Sequence, residues 1–122
     1  MATPTIYEKL GEKNLRLMVN RFYDLVQKNE IISPLFKDDF NTVRKKQFMF
    51  LTQFFGGPQL YSEQFGHPRM RMRHLPHKIT NEGKEEWLKC MKEAVFSLDI
   101  DESLKHAIYD CFPPIAQHMV NS

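Results

Sequence analysis

The stretch Glu12–Lys28 reads EKNLRLMVNRFYDLVQK, and its apolar residues recur at intervals of three and four. That spacing places them on one face of an α-helix, with the charged residues on the other face. The residues of the apolar face are Leu15, Met18, Val19, Phe22, Leu25 and Val26. The stretch therefore predicts an amphipathic helix over about residues 12 to 28 that packs on a core.

A second helix is predicted after a short helical turn at 33–36. It begins near the Asn-Thr pair at 41–42, because these side chains can cap a helix N-terminus. The Gly-Gly-Pro run at 56–58 ends it, since glycine suits a left-handed C-cap and proline cannot continue a helix. Residues 57–79 lack helical periodicity, and we expect a long loop there that holds one short helix.

Two more helices are predicted in the second half of the chain. One begins at Thr80, and the other is capped by Asp101. The proline pair at 113–114 lies in the last helix, where proline costs about 3 kcal/mol, so we expect a kink or a restart. Arginine and methionine alternate over 69–73 as in an edge strand, but no partner strand is predicted elsewhere. The sequence predicts an all-α fold.

The chain length of 122 residues suits one domain with one core, and we predict a single domain over 1–122. Hydrophobic residues make up 42% and charged residues 26%, as in ordinary globular domains. Cys90 and Cys111 match no metal-binding spacing and are typical of thiols in a reducing compartment. Charges come too early for a signal peptide and no apolar run reaches membrane length, so we expect a cytoplasmic protein without membrane contact.

Several functional classes are disfavoured by the sequence. The net charge of +2 argues against a nucleic-acid partner, despite the three arginines in 69–73. A zinc site at His74 and His77 would lack a third and a fourth ligand. We find no paired-carboxylate or nucleophile motif that would support hydrolysis.

The content of aromatic residues and methionine is high for so short a chain, with ten Phe, four Tyr, one Trp and seven Met. Either the core is unusually aromatic, or part of it encloses a group other than protein. Haem would need an apolar slot, one axial ligand and cations for its propionates, and a histidine beside arginines offers the last two. A single histidine is more often a surface residue or a satisfied polar one, so on composition alone haem is the less favoured of the two interpretations.

A set of residues spread over nearly the whole chain resembles the truncated haemoglobins of group II. The main matches are the run FLTQFFGGP at 50–58, Tyr61, Gly66-His67-Pro68, Arg71, Arg73-His74 and Ile79-Thr80. Supporting matches are Phe22-Tyr23, Phe36 after Pro34-Leu35, Gln47, Trp87, Cys90-Met91 and residues 118–121. The order and spacing of these matches are those of the family.

This resemblance implies a globin-like two-over-two helical sandwich around haem b. It assigns His74 as the proximal iron ligand and the only metal-binding residue. It assigns Tyr23 and Trp87 as distal hydrogen-bond donors, with Gln47 near them on the distal helix.

The resemblance also implies residues that hold the rest of the cofactor. Phe36 matches the aromatic residue that packs on the porphyrin. Lys46, Tyr61 and Arg73 match positions near the haem edge, where the propionates lie.

Two positions of the predicted site depart from the family pattern, and the proline pair at 113–114 is a further departure in the last helix. Val43 stands where a small or polar residue is usual at the ligand gate, and valine can neither donate a hydrogen bond nor ligate iron. His77 stands where phenylalanine is usual, and we expect it at the haem edge or in solvent.

The function implied by the resemblance is reversible binding of O₂, and also of CO and NO, at ferrous iron. Slow release would suit oxygen sensing, storage or redox chemistry. The alternative is a haem enzyme with peroxidase-like or NO-dioxygenase activity, for which no catalytic residue is certain. A reductase is a plausible partner, and the protein would be a monomer or a homodimer.

Overall fold

The computed structural model describes residues 3–36, 39–66 and 79–121, and most of these residues lie in helices. The helices are α1 (Ile6–Leu10), α2 (Glu12–Lys28), a 3₁₀ helix (Ser33–Leu35), α3 (Phe40–Phe54), α4 (Leu60–Phe65), α5 (Asn81–Phe96), α6 (Glu102–Tyr109) and α7 (Phe112–Met119). Within the three described ranges there is no strand. The alternating run at 69–73 lies outside them.

Helix α2 has the predicted bounds and the predicted buried face. Five of the six residues of the apolar stripe are buried and Leu25 is half-buried. The helix packs against α3 and against α5. The periodicity therefore predicted the buried face of this helix correctly.

The helices form two layers around one core. Helices α2 and α3 pack together in one layer, and α5 packs against α7 in the other. Side chains from both layers, such as Phe22, Met91 and Phe112, are completely or almost completely buried between them. The fold is the predicted all-α, two-over-two sandwich.

The first residues of α3 differ from the prediction. The N-cap is Asp39, whose carboxylate accepts hydrogen bonds from the Thr42 backbone N–H at 2.9 Å and from the Thr42 hydroxyl at 2.8 Å. These hydrogen bonds from Thr42 hold the pKa of the Asp39 carboxyl below its usual value. The predicted cap at 41–42 is wrong because an aspartate three residues before a free N–H is the better-placed acceptor.

Helix α3 ends at Phe54, just before the Gly-Gly-Pro run, as predicted. Gly56 has a φ of 96°, a conformation that favours glycine. A Cβ atom on Gly57 would lie 2.7 Å from the Tyr7 ring and 2.9 Å from the Thr52 carbonyl oxygen. The two glycines thus end α3 and let α1 pack directly on its end.

Helix α1 was not predicted, although a local signal for it exists. The Thr5 side chain accepts a hydrogen bond from the Glu8 N–H at 3.1 Å, and Glu8 accepts one from the Thr5 N–H at 3.2 Å. This reciprocal pair is a capping box. The backbone of Tyr7 then donates to the Phe55 carbonyl at 2.9 Å, which fixes α1 on the core.

The helices of the second half follow their predicted signals. The Thr80 hydroxyl caps α5 by accepting a hydrogen bond from the Gly83 N–H at 3.0 Å. Asp101 occupies the N-cap position of α6 without a side-chain hydrogen bond. The proline pair at 113–114 lies in the first turn of α7, so the chain restarts a helix there instead of kinking one. No helix in the described ranges is both long and apolar enough to cross a bilayer.

Candidate functional site

Tyr23 lies on the buried face of α2 and is only 3% exposed. Its ring makes edge contacts with Phe22, Phe36 and Phe40, at centroid distances of 4.8, 5.9 and 6.3 Å. These phenylalanines come from α2, from the turn after the 3₁₀ helix and from α3. Three separate elements therefore fix the Tyr23 ring in an aromatic enclosure.

The hydroxyl of Tyr23 makes no hydrogen bond to another residue of the described part of the chain. In the same ranges, every side-chain nitrogen or oxygen that is fully enclosed has a partner. The hydroxyl must therefore border accessible space instead of being sealed in the core. Burial raises the pKa of Tyr23 well above its ordinary value, and the positive charge of Arg44 opposes this only in part. The phenol stays protonated and remains a donor.

Trp87 lies on α5 and is half-buried. Its ring contacts Phe22 at 5.1 Å and Phe112 at 5.7 Å between centroids. Tyr23 and Trp87, which are 64 positions apart in the sequence, thus pack on the same phenylalanine. Both rings carry a donor group, and both belong to one aromatic cluster.

Helix α3 presents the next candidate residues. Val43 follows Phe40 by three positions and Gln47 follows it by seven, so both lie on the helix face on which Phe40 contacts Tyr23. Both are half-buried, and Val43 packs against the core. This face therefore continues the wall that starts at Tyr23.

Lys46 and Tyr61 both lie against Phe65, where α3 and α4 adjoin. The Lys46 ammonium lies 5.2 Å from the centre of the Phe65 ring, and the Tyr61 and Phe65 rings are 5.1 Å apart. Tyr61 is 7% exposed and also contacts Phe50 at 6.0 Å. A cation and a phenol-bearing ring thus pack against the same phenylalanine.

A side-chain clamp holds α4 in this position. The Gln53 amide donates to the Ser62 hydroxyl at 2.8 Å and accepts from the Ser62 N–H at 2.9 Å. Sequence reasoning missed this clamp and also the roles of Phe40 and Phe65. The sequence shows Gln53 near the end of α3 and shows both phenylalanines. Their contacts join separate helices, however, so no local pattern predicts them.

Several predicted site residues lie outside the described ranges. His74 and Arg73 belong to the stretch 67–78, as does His77, so their predicted roles stay predictions. Within the ranges that are described, no three His, Cys, Asp or Glu side chains lie close enough together to hold a metal ion. Cys90 is a buried free thiol and Cys111 a half-buried one, and burial raises the pKa of both.

A groove of about 450 Å³ between α2 and α3 does not involve the candidate residues. Its walls are formed by Arg16, Val19, Asn20, Asn41, Arg44, Lys45, Phe48, Met49 and Leu60. The Arg44 guanidinium spans this region by bonding to Asp24 at 2.7 Å and to the Asn20 carbonyl at 3.0 Å. The groove is therefore distinct from the aromatic enclosure around Tyr23.

The candidate residues fit a flat apolar group with carboxylates and a small polar ligand. The rings around Tyr23 and Trp87 supply an apolar wall with two donors, and neither donor group is used by another described residue. Lys46 and Tyr61 supply a cationic and a phenolic partner for carboxylates. This donor set suits haem and a diatomic gas better than a polar metabolite, which would need more polar groups.

Comparisons with known proteins give a consistent result over almost the whole chain. The model of the family described as "Bacterial-like globin" matches residues 5–121. The group 2 truncated hemoglobin YjbI of Bacillus subtilis (strain 168) is 41% identical over 115 residues, which cover 94% of this chain and 87% of that protein.

Two crystal structures are closely similar to the fold. The group II truncated hemoglobin from Bacillus anthracis superposes with a TM-score of 0.94 at 39% identity, over 100% of this chain and 95% of that chain. A truncated oxygen-avid haemoglobin from Bacillus subtilis gives a TM-score of 0.92 at 40% identity, over 97% of this chain and 100% of that chain.

Proposed function

Since the chain belongs to the bacterial-like globin family, among the group II truncated haemoglobins, we propose that it retains O₂ tightly and releases it slowly. Haem b is the cofactor of this family, and reversible binding of diatomic gases such as O₂ is its activity.

Haem, when bound, supplies a ferrous iron that binds diatomic gases reversibly. His74 is the proposed proximal ligand, because a neutral imidazole is a good ligand for iron and the family motif at 73–74 matches. Arg73 beside it is proposed to meet a propionate, since a guanidinium pairs with a carboxylate through two parallel hydrogen bonds.

The observation that carries the proposal is the Tyr23 hydroxyl. It belongs to a side chain that is 3% exposed, borders accessible space and makes no hydrogen bond to another described residue. A buried donor without a protein partner is costly unless a ligand or water uses it. Tyr23 is therefore suited to donate to the gas, with Trp87 as the second donor and Gln47 beside them on α3.

The remaining candidates are proposed to hold the cofactor. Phe36 would pack on the porphyrin, which suits its place against the Tyr23 ring. Val43 would border the gas entrance as an apolar gate. Lys46 and Tyr61 would lie near the propionates, and their common contact with Phe65 supports a shared role.

Slow release follows from the number of donors. A hydrogen bond to a charged group contributes about 1.5–3 kcal/mol, and a gas held at the haem would be a partly charged acceptor for the Tyr23 and Trp87 donors. The similar protein from Bacillus subtilis is described as oxygen-avid, which supports the same property here. CO and NO would occupy the same space, and oxygen sensing, storage or redox chemistry would be the use of a tightly held gas.

An absorption spectrum of the purified protein tests the proposal directly. The reduced protein should give an intense Soret band that shifts when air is admitted and returns when O₂ is removed. His74→Ala should weaken or abolish the band, whereas the matched control His77→Ala should keep it. An unchanged spectrum in His74→Ala would refute the proximal assignment.

A second measurement separates the gas binder from the haem enzyme. Peroxide consumption and NO consumption should be followed at steady state with a matched reductase, alongside the O₂ dissociation rate. Slow O₂ release with little turnover would support binding. Sustained turnover faster than O₂ release would instead favour the peroxidase-like or NO-dioxygenase activity.

A further inference from the structure

One arginine of α3 is hydrogen-bonded to three residues of α2. One terminal nitrogen of the Arg44 guanidinium donates to the Asn20 carbonyl at 3.0 Å and to Asn20 Oδ1 at 3.2 Å. The other terminal nitrogen donates to Asp24 Oδ1 at 2.7 Å and to Gln27 Oε1 at 3.1 Å. We call these four hydrogen bonds the Arg44 bridge. The Arg44 side chain is only 18% exposed, so the bridge is partly shielded from water.

The Arg44 bridge flanks Tyr23 along α2. Asn20 lies three positions before Tyr23 and Gln27 lies four positions after it, so these acceptors stand about one helical turn on either side of the phenol. On α3, Arg44 lies four positions after Phe40, whose ring contacts the Tyr23 ring at 6.3 Å. The bridge and the ring contact therefore join the two helices within one turn of each other.

Helix α3 carries two further residues of the proposed gas site close to the bridge. Val43 directly precedes Arg44, and Gln47 follows it by three positions. All three side chains project from the same turn of one helix, so a shift of α3 at Arg44 moves the other two with it. Hydrogen bonds that hold Arg44 to α2 therefore also hold Val43 and Gln47 relative to Tyr23.

The bridge is more than a surface ion pair. Asp24 is 60% exposed, and an exposed ion pair alone contributes little to stability. The Arg44 guanidinium is planar and rigid, however, and it binds one carbonyl and three side-chain oxygens at once. A lysine ammonium presents its donors from one point and cannot span acceptors spread over two turns of α2. Arg44 also acts on the phenol, since burial raises the pKa of Tyr23 and the charge of Arg44 opposes that rise.

We propose that Arg44 is a positioning residue that controls the hydrogen bond from the Tyr23 hydroxyl to the bound gas. By tying α3 to α2 on both sides of Tyr23, it fixes the gap between the phenol and the α3 face that carries Val43 and Gln47. Without the bridge that gap varies, the donor is aimed at the gas less of the time, and O₂ leaves faster. This inference rests on the proposed role of Tyr23 as a donor.

The test compares variants of the full haem protein. Arg44→Met removes the guanidinium and keeps the apolar part of the side chain, whereas Arg44→Lys keeps the charge without the planar fork. Arg16→Met is the matched control. Arg16 also joins α2 to α3, because its guanidinium lies 4.1 Å from the centre of the Phe48 ring, but it lies seven positions before Tyr23. Tyr23→Phe is made alone and together with Arg44→Met.

Two readouts are measured on each variant. One is the O₂ dissociation rate constant by stopped flow, and the other is the C–O stretching band in the infrared spectrum of the CO-bound protein, which reports on the donors around the gas. Arg44→Met should raise the rate constant about fivefold or more and should shift or broaden the band. Arg44→Lys should show most of the same rise, because the fork is lost. Arg16→Met should stay within about twofold of the parent protein.

The double variant tests whether the bridge acts through the phenol. If Arg44 works by aiming the Tyr23 hydroxyl, its removal has little left to change once that hydroxyl is gone. Arg44→Met combined with Tyr23→Phe should therefore release O₂ within about twofold of Tyr23→Phe alone. An undiminished effect of Arg44→Met in this background would overturn the proposal.

The other outcomes separate the bridge from charge and from general packing. The proposal is overturned if Arg44→Met matches the parent in both readouts, if Arg44→Lys restores the parent rate, or if Arg16→Met has the same effect as Arg44→Met. If Arg44→Met does not retain haem, Asp24→Ala replaces it, since it removes the 2.7 Å hydrogen bond at an exposed position. Faster O₂ release in Asp24→Ala would then support the bridge, and an unchanged rate would overturn it.

Tyr23→Phe alone separates this inference from the proposed function. If that variant leaves O₂ release unchanged, the donor assignment is wrong and the role of Arg44 falls with it. If it speeds release while Arg44→Met does not, only the bridge is wrong.

Discussion

Replacing Tyr23 by phenylalanine isolates the distal hydroxyl from the aromatic enclosure around it. The variant keeps the ring and therefore its contacts with Phe22, Phe36 and Phe40. Because the hydroxyl makes no hydrogen bond to another described residue, its removal leaves no described protein group unpaired. The variant should thus change gas binding without changing the fold.

The magnitude follows from the bond that is lost. A hydrogen bond to a charged acceptor contributes about 1.5–3 kcal/mol, and about 1.4 kcal/mol corresponds to a tenfold change. Tyr23→Phe should therefore raise the O₂ dissociation rate constant roughly 10- to 100-fold, with the lower end expected because Trp87 still donates. The free energy of unfolding of the haem-free protein should change by less than about 1 kcal/mol.

Stopped-flow mixing of the oxygenated protein with dithionite and CO measures the dissociation rate, and urea titration measures stability. Tyr109→Phe is the control, since it removes a half-buried phenol on α6 that contacts none of these rings. An unchanged dissociation rate in Tyr23→Phe would show that the donor lies elsewhere. A loss of stability of 1–3 kcal/mol would show that the hydroxyl bonds within the protein instead.

Four further predictions use the same assays. Trp87→Phe should speed O₂ release several-fold by removing the indole donor, and an unchanged rate would reduce Trp87 to a packing role. The release rate should be flat from about pH 6 to pH 10, because the raised pKa keeps Tyr23 protonated, and a titration in that range would contradict its burial. Because the pKa of Tyr23 is higher in the folded than in the unfolded protein, the parent should match the stability of Tyr23→Phe below about pH 10 and lose stability relative to it as pH rises further, as checked by urea titration. Gly57→Ala should destabilise the protein by about 1–3 kcal/mol, because its Cβ would meet the Tyr7 ring at 2.7 Å, whereas Gly83→Ala, with no contact under 3.4 Å, should be tolerated; equal stabilities would refute this packing.

The sequence predicted the long helices well and the short-range details less well. Helix α2 has its predicted bounds because a stripe of six apolar residues specifies one register. Helix α3 begins at Phe40 instead of near 41–42, since several neighbouring side chains can cap and the geometry alone selects Asp39. Helix α1 has five residues, too few for an apolar stripe, and its capping box was the only signal.

The site could be predicted only in part, for a related reason. Composition and periodicity left haem as one of two interpretations, and the resemblance to a family named the individual residues. The contacts of Phe40 with Tyr23 and of Phe65 with Lys46 were not predictable, because each joins residues that are far apart in the chain. Such contacts depend on how the helices pack, which no local pattern encodes.

The shared contact of Tyr23 and Trp87 with Phe22 has a consequence for how gas release can evolve. The two proposed donors rest on one completely buried apolar side chain, so a change at Phe22 is expected to alter the orientation of both at once. Substitutions at the three positions should therefore be non-additive. Selection could retune the lifetime of the bound gas through a residue that has no polar group, while both donors stay unchanged in the sequence.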